Sequence, residues 1–340
     1  MTSSTSSSEK QTPTATMDLP DRRSQLVQLR KLILRILLPL LLLTTVFALA
    51  LDWFVSKKLI SQTSTHGAAK LFRIKESRPD EIPIIGSSRA LCTYIPDSIG
   101  PNFYNYGING IGYAVMDIFL KQELEQTEKT SPIVLNFDFS MFGDQMGDRN
   151  SYLPHSQIPE VKALLDHHDF YSSHMRIPGI RYYGAIDAFI KDRLNESLML
   201  TKAVNKGAAI EKAVSDPSQM AILIQKRKDS IERFLPETRL IDTLIHRIQT
   251  HPKRMFFIAV APYHSSFFES LPNADFDRAK QVLDRIDVIP NARVIFFDTR
   301  QWPDSYFFNT SHVSQLGAIQ TSKMLKDSLF DSKSTTNNGE

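Results

Sequence analysis

Pro83-Ile84-Ile85-Gly86-Ser87-Ser88-Arg89 is the stretch whose reading decides the fold of this 340-residue chain. An apolar run with β-branched isoleucines, stopped by a glycine and two hydroxyl residues, reads as a buried strand from Ile82 to Ile85 entering a tight turn. In an open parallel α/β sheet, ligands bind just beyond the carboxyl ends of the strands, so this turn is where chemistry belongs. Paired hydroxyls after a strand also serve simply to cap the next helix.

Working outward toward the C-terminus, the same pattern repeats. A second strand at Phe103 to Tyr106 ends in Asn105-Tyr106-Gly107-Ile108-Asn109-Gly110, a turn rich in residues that tolerate positive φ, and an apolar-periodic helix from Tyr113 to Leu124 follows. Ile133 to Phe137 is almost continuously apolar, as in sheets covered on both faces, and Asp138 stands at its carboxyl end. Strands return at Met255 to Val260 and Arg293 to Phe297, separated by a helix near Asp275 to Ile286, and a last helix runs to about Leu329. Strands alternating with helices predict an α/β fold, a three-layer, five-stranded parallel sheet with right-handed crossovers.

Residues 140–251 read differently. Amphipathic stretches such as Met220 to Phe234 and Thr238 to Ile248 predict a helical insertion without strands. It serves as a lid or partner surface, or merely covers the sheet edge; the pattern fits both. His167, His168 and His174 fall here, but without a matching carboxylate or an i,i+4 histidine pair they do not spell a metal site.

Toward the N-terminus the chain changes character twice. Residues 1–20 are Ser/Thr-rich and cannot bury enough apolar surface to offset ordering entropy, so disorder is expected, with a basic, cytoplasmic N-terminal segment extending to residue 35. Residues 36–55, ILLPLLLLTTVFALALDWFV, contain one charge, Asp52, and are long enough to cross a bilayer as a helix. The run exceeds a usual signal-peptide core and lacks a small-residue cleavage pattern. Trp53 suits an interfacial anchor. Arg22, Arg23, Arg30, Lys31 and Arg35 precede the span while only Lys57 and Lys58 closely follow it, so the positive-inside rule expects a single-pass cytoplasmic-membrane protein with its C-terminal domain extracytoplasmic. A membrane-proximal linker helix is expected within 56–81, an α/β domain over 82–330 and a flexible tail over 331–340.

Composition narrows the chemistry. The net charge of +3 is spread along the chain without a basic, aromatic-interleaved block, which argues against a nucleic-acid partner. The single cysteine, Cys92, rules out an intramolecular disulfide and any cysteine-based zinc cluster.

Three suggestive turns fall at comparable places: Ser88 after the first strand, the Asn-Gly turn after the second, and His312 in Phe307-Phe308-Asn309-Thr310-Ser311-His312 before the final helix. A serine becomes a nucleophile when a base takes its proton, histidine has a suitable pKa, and backbone amides of a glycine turn can hold the developing oxyanion. With these motifs in this order, the sequence resembles the SGNH (GDSL-type) hydrolase superfamily, especially its membrane-anchored, extracytoplasmic branch that includes proteins of cell-envelope polysaccharide acylation. The resemblance covers roughly Ile82 to Leu329 apart from the insertion.

Gly86-Ser87-Ser88 matches the first block of that superfamily and implies Ser88 as nucleophile. Asn105, Gly107 and Gly110 match the second, implying that the Gly110 amide binds the oxyanion beside Asn109. His312 matches the last block and is the implied base. Asn309 stands where the family has the aspartate that orients the histidine; an amide can hold the ring but cannot stabilise imidazolium by charge. The third block, usually Gly-x-Asn, is replaced by Asn136-Phe137-Asp138, and an ionised Asp138 would repel an oxyanion. A bidentate Arg89–Asp138 pair that fixes the turn is the alternative role expected for that carboxylate. The resemblance implies a serine-dependent esterase or O-acyltransferase acting on an envelope carbohydrate or lipid without metal or organic cofactor. The rival expectation is a catalytically weakened domain that binds such a glycan, or a membrane acyltransferase, in an acylation or export complex.

Overall fold

The structure is a computed structural model that describes residues 22–60, 66–139, 141–168, 202–212, 216–230 and 233–330, with 177, 179–182, 186, 190 and 194. The stretch 1–20, the tail from 331 and His174, for which expectations were stated, lie outside the described residues. The chain divides into an N-terminal unit ending at Ala50 and a second unit from Leu51 onward.

The first unit consists of helix α1 (Arg22–Leu32), a wide π turn and the start of α2 (Leu38–Phe54). From Gln25 to Phe54 this is one helical stretch, long and apolar enough to span a membrane. Its leucines up to Leu49 are exposed, as a lipid-facing surface requires.

In the second unit, α3 (Gly67–Lys75) leads to β1 (Ile82–Ile85), α4 (Ser88–Thr93), α5 (Pro96–Ile99), β2 (Phe103–Asn105), α6 (Tyr113–Leu124) and β3 (Ile133–Phe137). Next come α7 (Pro159–His167), the strands β4 (Lys202–Asn205) and β5 (Ala208–Glu211), α8 (Pro217–Lys228) and α9 (Thr238–Thr250). The chain closes with β6 (Phe256–Val260), α10 (Ser265–Ser270), α11 (Asn273–Asp287), β7 (Ala292–Phe296) and α12 (Gln315–Phe330).

Five strands form one parallel sheet in the order β2-β1-β3-β6-β7. The two-residue period of a strand sends neighbouring side chains to opposite faces, and both faces are apolar. Leu135 and Ile258 pack on one face with Phe119 of α6, Leu244 of α9 and Val282 of α11. Val134 and Ala259 pack on the other with Tyr94 and Leu325 of α12. The result is three layers, as the strand spacing predicts.

Residues 140–251 depart from the expected all-helical insertion in two ways. β4 and β5 form an antiparallel hairpin, turned at Lys206 and Gly207, both at positive φ. It lies against the turn region of β2, where the Asn105 amide donates to the Lys206 carbonyl at 2.9 Å. Its Ala-rich, four-residue strands hid it; only the Asn205-Lys206-Gly207 turn signalled it. At the other end, α9 belongs to the sheet's covering layer, since Leu240, Ile241, Leu244 and Ile248 enter the main core.

Candidate active site

Strand order reverses between β1 and β3, and a crevice beyond their carboxyl ends is where such sheets hold ligands. Gly86 makes the β1 turn possible: a Cβ there would lie 2.6 Å from Ala90 Cβ and 2.7 Å from Asn136 Cβ. Ser87 then caps α4, its Oγ accepting from the Arg89 amide at 3.2 Å, while Ser88 becomes the first helical residue. The two hydroxyls thus divide the roles that the sequence left open.

His312 arrives from the loop before α12, with its Nε2 3.0 Å from Ser88 Oγ. Its Nδ1 is 3.2 Å from Asn309 Oδ1, which also accepts the amides of Ser311 and His312 at 2.8 Å each. An amide oxygen only accepts, so the network assigns the proton to Nδ1 and leaves the Nε2 lone pair toward Ser88. Burial, reinforced by the nearby Arg89 charge, lowers the His312 pKa to about 4. The ring is therefore neutral at pH 7 and able to take the serine proton, although a weakly basic imidazole is a less driven acceptor.

Ser88 and His312 open into a cavity of about 380 Å³ also lined by Gly110, Asp138, Arg89 and Tyr263. Gly110 holds φ +71°, a left-handed conformation that glycine adopts without strain. Among the described residues, neither the Ser88 nor the Gly110 amide has a hydrogen-bond partner. Asn109 is exposed and is not among the residues that line the cavity, whereas its neighbour Gly110 is.

The Arg89–Asp138 expectation is also corrected. Arg89 Nε lies 3.9 Å from Asp138, near enough for charge attraction but not a bidentate pair. The guanidinium instead donates to the carbonyls of Ala261, at 3.0 Å, Pro262 and Ser311, and stacks 3.3 Å over the Tyr263 ring. It ties the end of β1 to the loop after β6 and to the loop that carries His312. Asp138 accepts from Ser87 Oγ at 2.5 Å and from the Tyr263 hydroxyl at 3.0 Å, so both its oxygens are engaged. Burial pushes the Tyr263 hydroxyl far above its ordinary pKa, which keeps it a donor. Asn136 points to the other face, where its Oδ1 accepts from Tyr94 at 3.1 Å.

Sequence reading missed Tyr263, Arg227 and Arg233, all of which line the cavity. Tyr263 follows closely on the strand ending at Val260, and that place beyond a strand end was the available signal; the arginines come from the segment read as an insertion. His167 and His168 lie elsewhere, both against Asp144, and no group of three or more metal-ligating side chains gathers among the described residues.

Fold and site together define an α/β domain with a Ser-His pair at the carboxyl edge of a parallel sheet. No family model and no curated protein matches the chain.

Proposed function

We propose that the protein is a membrane-anchored, serine-dependent acyl-ester hydrolase or O-acyltransferase of the SGNH type. The observation that carries this reading is the 3.0 Å contact between Ser88 Oγ and His312 Nε2, opening on a cavity with Gly110. The sheet order, 2-1-3-4-5 when its strands are numbered along the chain, is that of flavodoxin-like doubly wound folds and agrees with it.

In this mechanism Ser88 Oγ attacks the acyl carbonyl carbon as its proton passes to His312 Nε2. The amides of Ser88 and Gly110 receive the oxyanion. His312 returns the proton to the departing alkoxide, leaving an acyl-Ser88 ester. Water, or a hydroxyl of an acceptor sugar or lipid, gives its proton to His312 and takes the acyl group. Asn309 orients the ring without charge. The excess of basic residues before the apolar helix supports, by the positive-inside rule, an extracytoplasmic domain whose substrate is an envelope carbohydrate or lipid.

The test is hydrolysis of an activated acetyl ester by the full chain in detergent. Ser88→Ala and His312→Ala are each expected to lower kcat by about 10³-fold or more with folding intact. A second reading, a weakened domain serving as a binding component of an acylation or export complex, is favoured by Asn309 in place of a carboxylate and by Asn136 facing away from the cavity. Wild-type turnover at background, with Ser88 unlabelled by a serine-reactive phosphonate, selects that second reading.

A further inference from the structure

The loop that carries His312 is closed on itself. Phe307 and Val313 pair across its root, and the amides of Phe308 and Asn309 donate to the His312 carbonyl at 2.8 and 3.2 Å. Asn309 Oδ1 takes the amides of Ser311 and His312. These bonds shape the loop without setting its distance from Ser88, which depends on contacts reaching it from other elements. Arg89 of α4 supplies one, through the Ser311 carbonyl.

α8 supplies another. Met220 is buried and Leu223, Ile224 and Arg227 are half-buried, while the other positions from Met220 to Lys228 are exposed. That is the i, i+3, i+4, i+7 spacing of a single helical face. Met220 and Ile224 pack at the root of the loop with Phe307 and Val313. Two turns beyond Met220, about 10 Å along the helix axis, Arg227 reaches the tip. Its Nε donates to Thr310 Oγ1 at 3.2 Å and a terminal nitrogen donates to Ser311 Oγ at 2.8 Å. One face of α8 therefore grips the loop at both ends, and a planar guanidinium fork on two hydroxyls fixes direction as well as distance.

From this double grip we propose that α8 is a splint for the histidine loop and that Arg227 is a positioning residue, holding His312 against Ser88 through Thr310 and Ser311. The kinetic consequence rests on the Ser-His reading; the mechanical one, that this contact keeps the His312 ring in its buried place, does not.

Hydrolysis of 4-nitrophenyl acetate by the full chain in detergent tests the kinetic part. Arg227→Met is expected to lower kcat about 10²-fold with KM little changed, the scale of displacing a reacting group by about an ångström. Thr310→Val/Ser311→Ala, which removes the acceptors, should lower kcat similarly. Combining all three substitutions should lower it little further, because both changes break one contact. Arg227→Lys should recover part of the loss, and Ile222→Ala, on the exposed face of the same helix, none is expected to suffer.

Proton NMR titration of the His312 ring in the full chain, identified by its loss in His312→Ala, reads the mechanical part without turnover. Burial lowers its pKa to about 4, so a released ring should titrate higher, toward the ordinary value of about 6.5. Arg89, Asp138 and Lys202, the charges that act on the ring, are untouched in the acceptor variant, and so is Arg227 itself. A rise there reports release, not lost charge.

Where the wild type turns over, the mutant cycle decides: unchanged kcat in the folded variants, or losses that simply add, overturns the role of Arg227. Should Arg227→Met not fold, the acceptor variant and Arg227→Lys carry the same comparison. Where the wild type does not turn over, the Ser-His reading falls and the titration decides: a rise in the acceptor variant supports the splint, and an unmoved His312 overturns it.

Discussion

At the scale of single residues, an imidazole held by an amide behaves differently from one held by a carboxylate. Asn309 Oδ1 faces His312 Nδ1 at 3.2 Å and fixes the ring, while burial and Arg89 lower the pKa to about 4. In the proposed mechanism the neutral ring is the active form, so kcat/KM should fall as pH drops through about 4, well below the ordinary histidine range. A carboxylate at position 309 favours imidazolium and raises that pKa. Asn309→Asp is therefore expected to shift the acid limb upward toward neutrality and, at pH 7 to 8, to raise kcat by roughly 10²-fold, a part of what the converse change removes from serine proteases. A pH–rate profile of the two proteins checks both effects; an unmoved limb would reduce Asn309 to an organiser of its own loop through the Ser311 and His312 amides. That Ser88, His312 and Asn309 meet was legible because each lies in a short local motif at a turn or loop beside the sheet. Arg227 was not, since nothing local in its helix says which distant loop it meets.

Single side chains work here by joining elements. Arg89 lies on α4 yet holds the carbonyls of Ala261 and Pro262 beyond β6 and of Ser311 in the histidine loop. Arg89→Met should leave these buried acceptors and Asp138 without their donor or counter-charge, lowering stability by about 3 kcal/mol in denaturant titration and releasing His312 from Ser88. Arg89→Lys should not rescue, because one ammonium cannot span three carbonyls while stacking on Tyr263. Stability and turnover equal to wild type in both variants would show that the loops are held by other contacts. The five sheet strands were legible for the converse reason: each announces itself locally, as a continuous apolar run closed by a turn. The Arg89–Asp138 contact was misjudged because the sequence locates strand ends but not the carbonyls between them. The β4–β5 hairpin was missed because its strands are short, and α9 was assigned to an insertion because amphipathicity reveals an apolar face without saying which surface covers it.

For the molecule as a whole, the chemistry of the apolar helix changes before the helix ends. Exposed leucines dominate up to Leu49, but Asp52 is buried and accepts from Arg181 Nε at 2.6 Å and from a terminal guanidinium nitrogen at 2.5 Å. Ser56 lies 2.5 Å from the Tyr182 hydroxyl, and Val55 packs with Ala68, Leu153 and Tyr182. These residues belong to the globular unit, which begins at Leu51, so a soluble fragment cut at residue 61 would discard part of its structure. The lost ion pair and apolar contacts correspond to about 2 to 4 kcal/mol, or several degrees in Tm for a domain of this size. A fragment starting at Leu51 is thus expected to melt higher than one starting at Ser61. Asp52→Asn in the full chain should lower the Tm in the same direction, because Arg181 would keep a neutral acceptor but lose its counter-charge. Equal melting temperatures for the two fragments, together with a neutral Asp52→Asn, would mean that the domain does not depend on the end of the apolar helix. In that case the residues from Leu51 to Ser56 would serve as tether alone, and the catalytic measurements could be made on the shorter fragment.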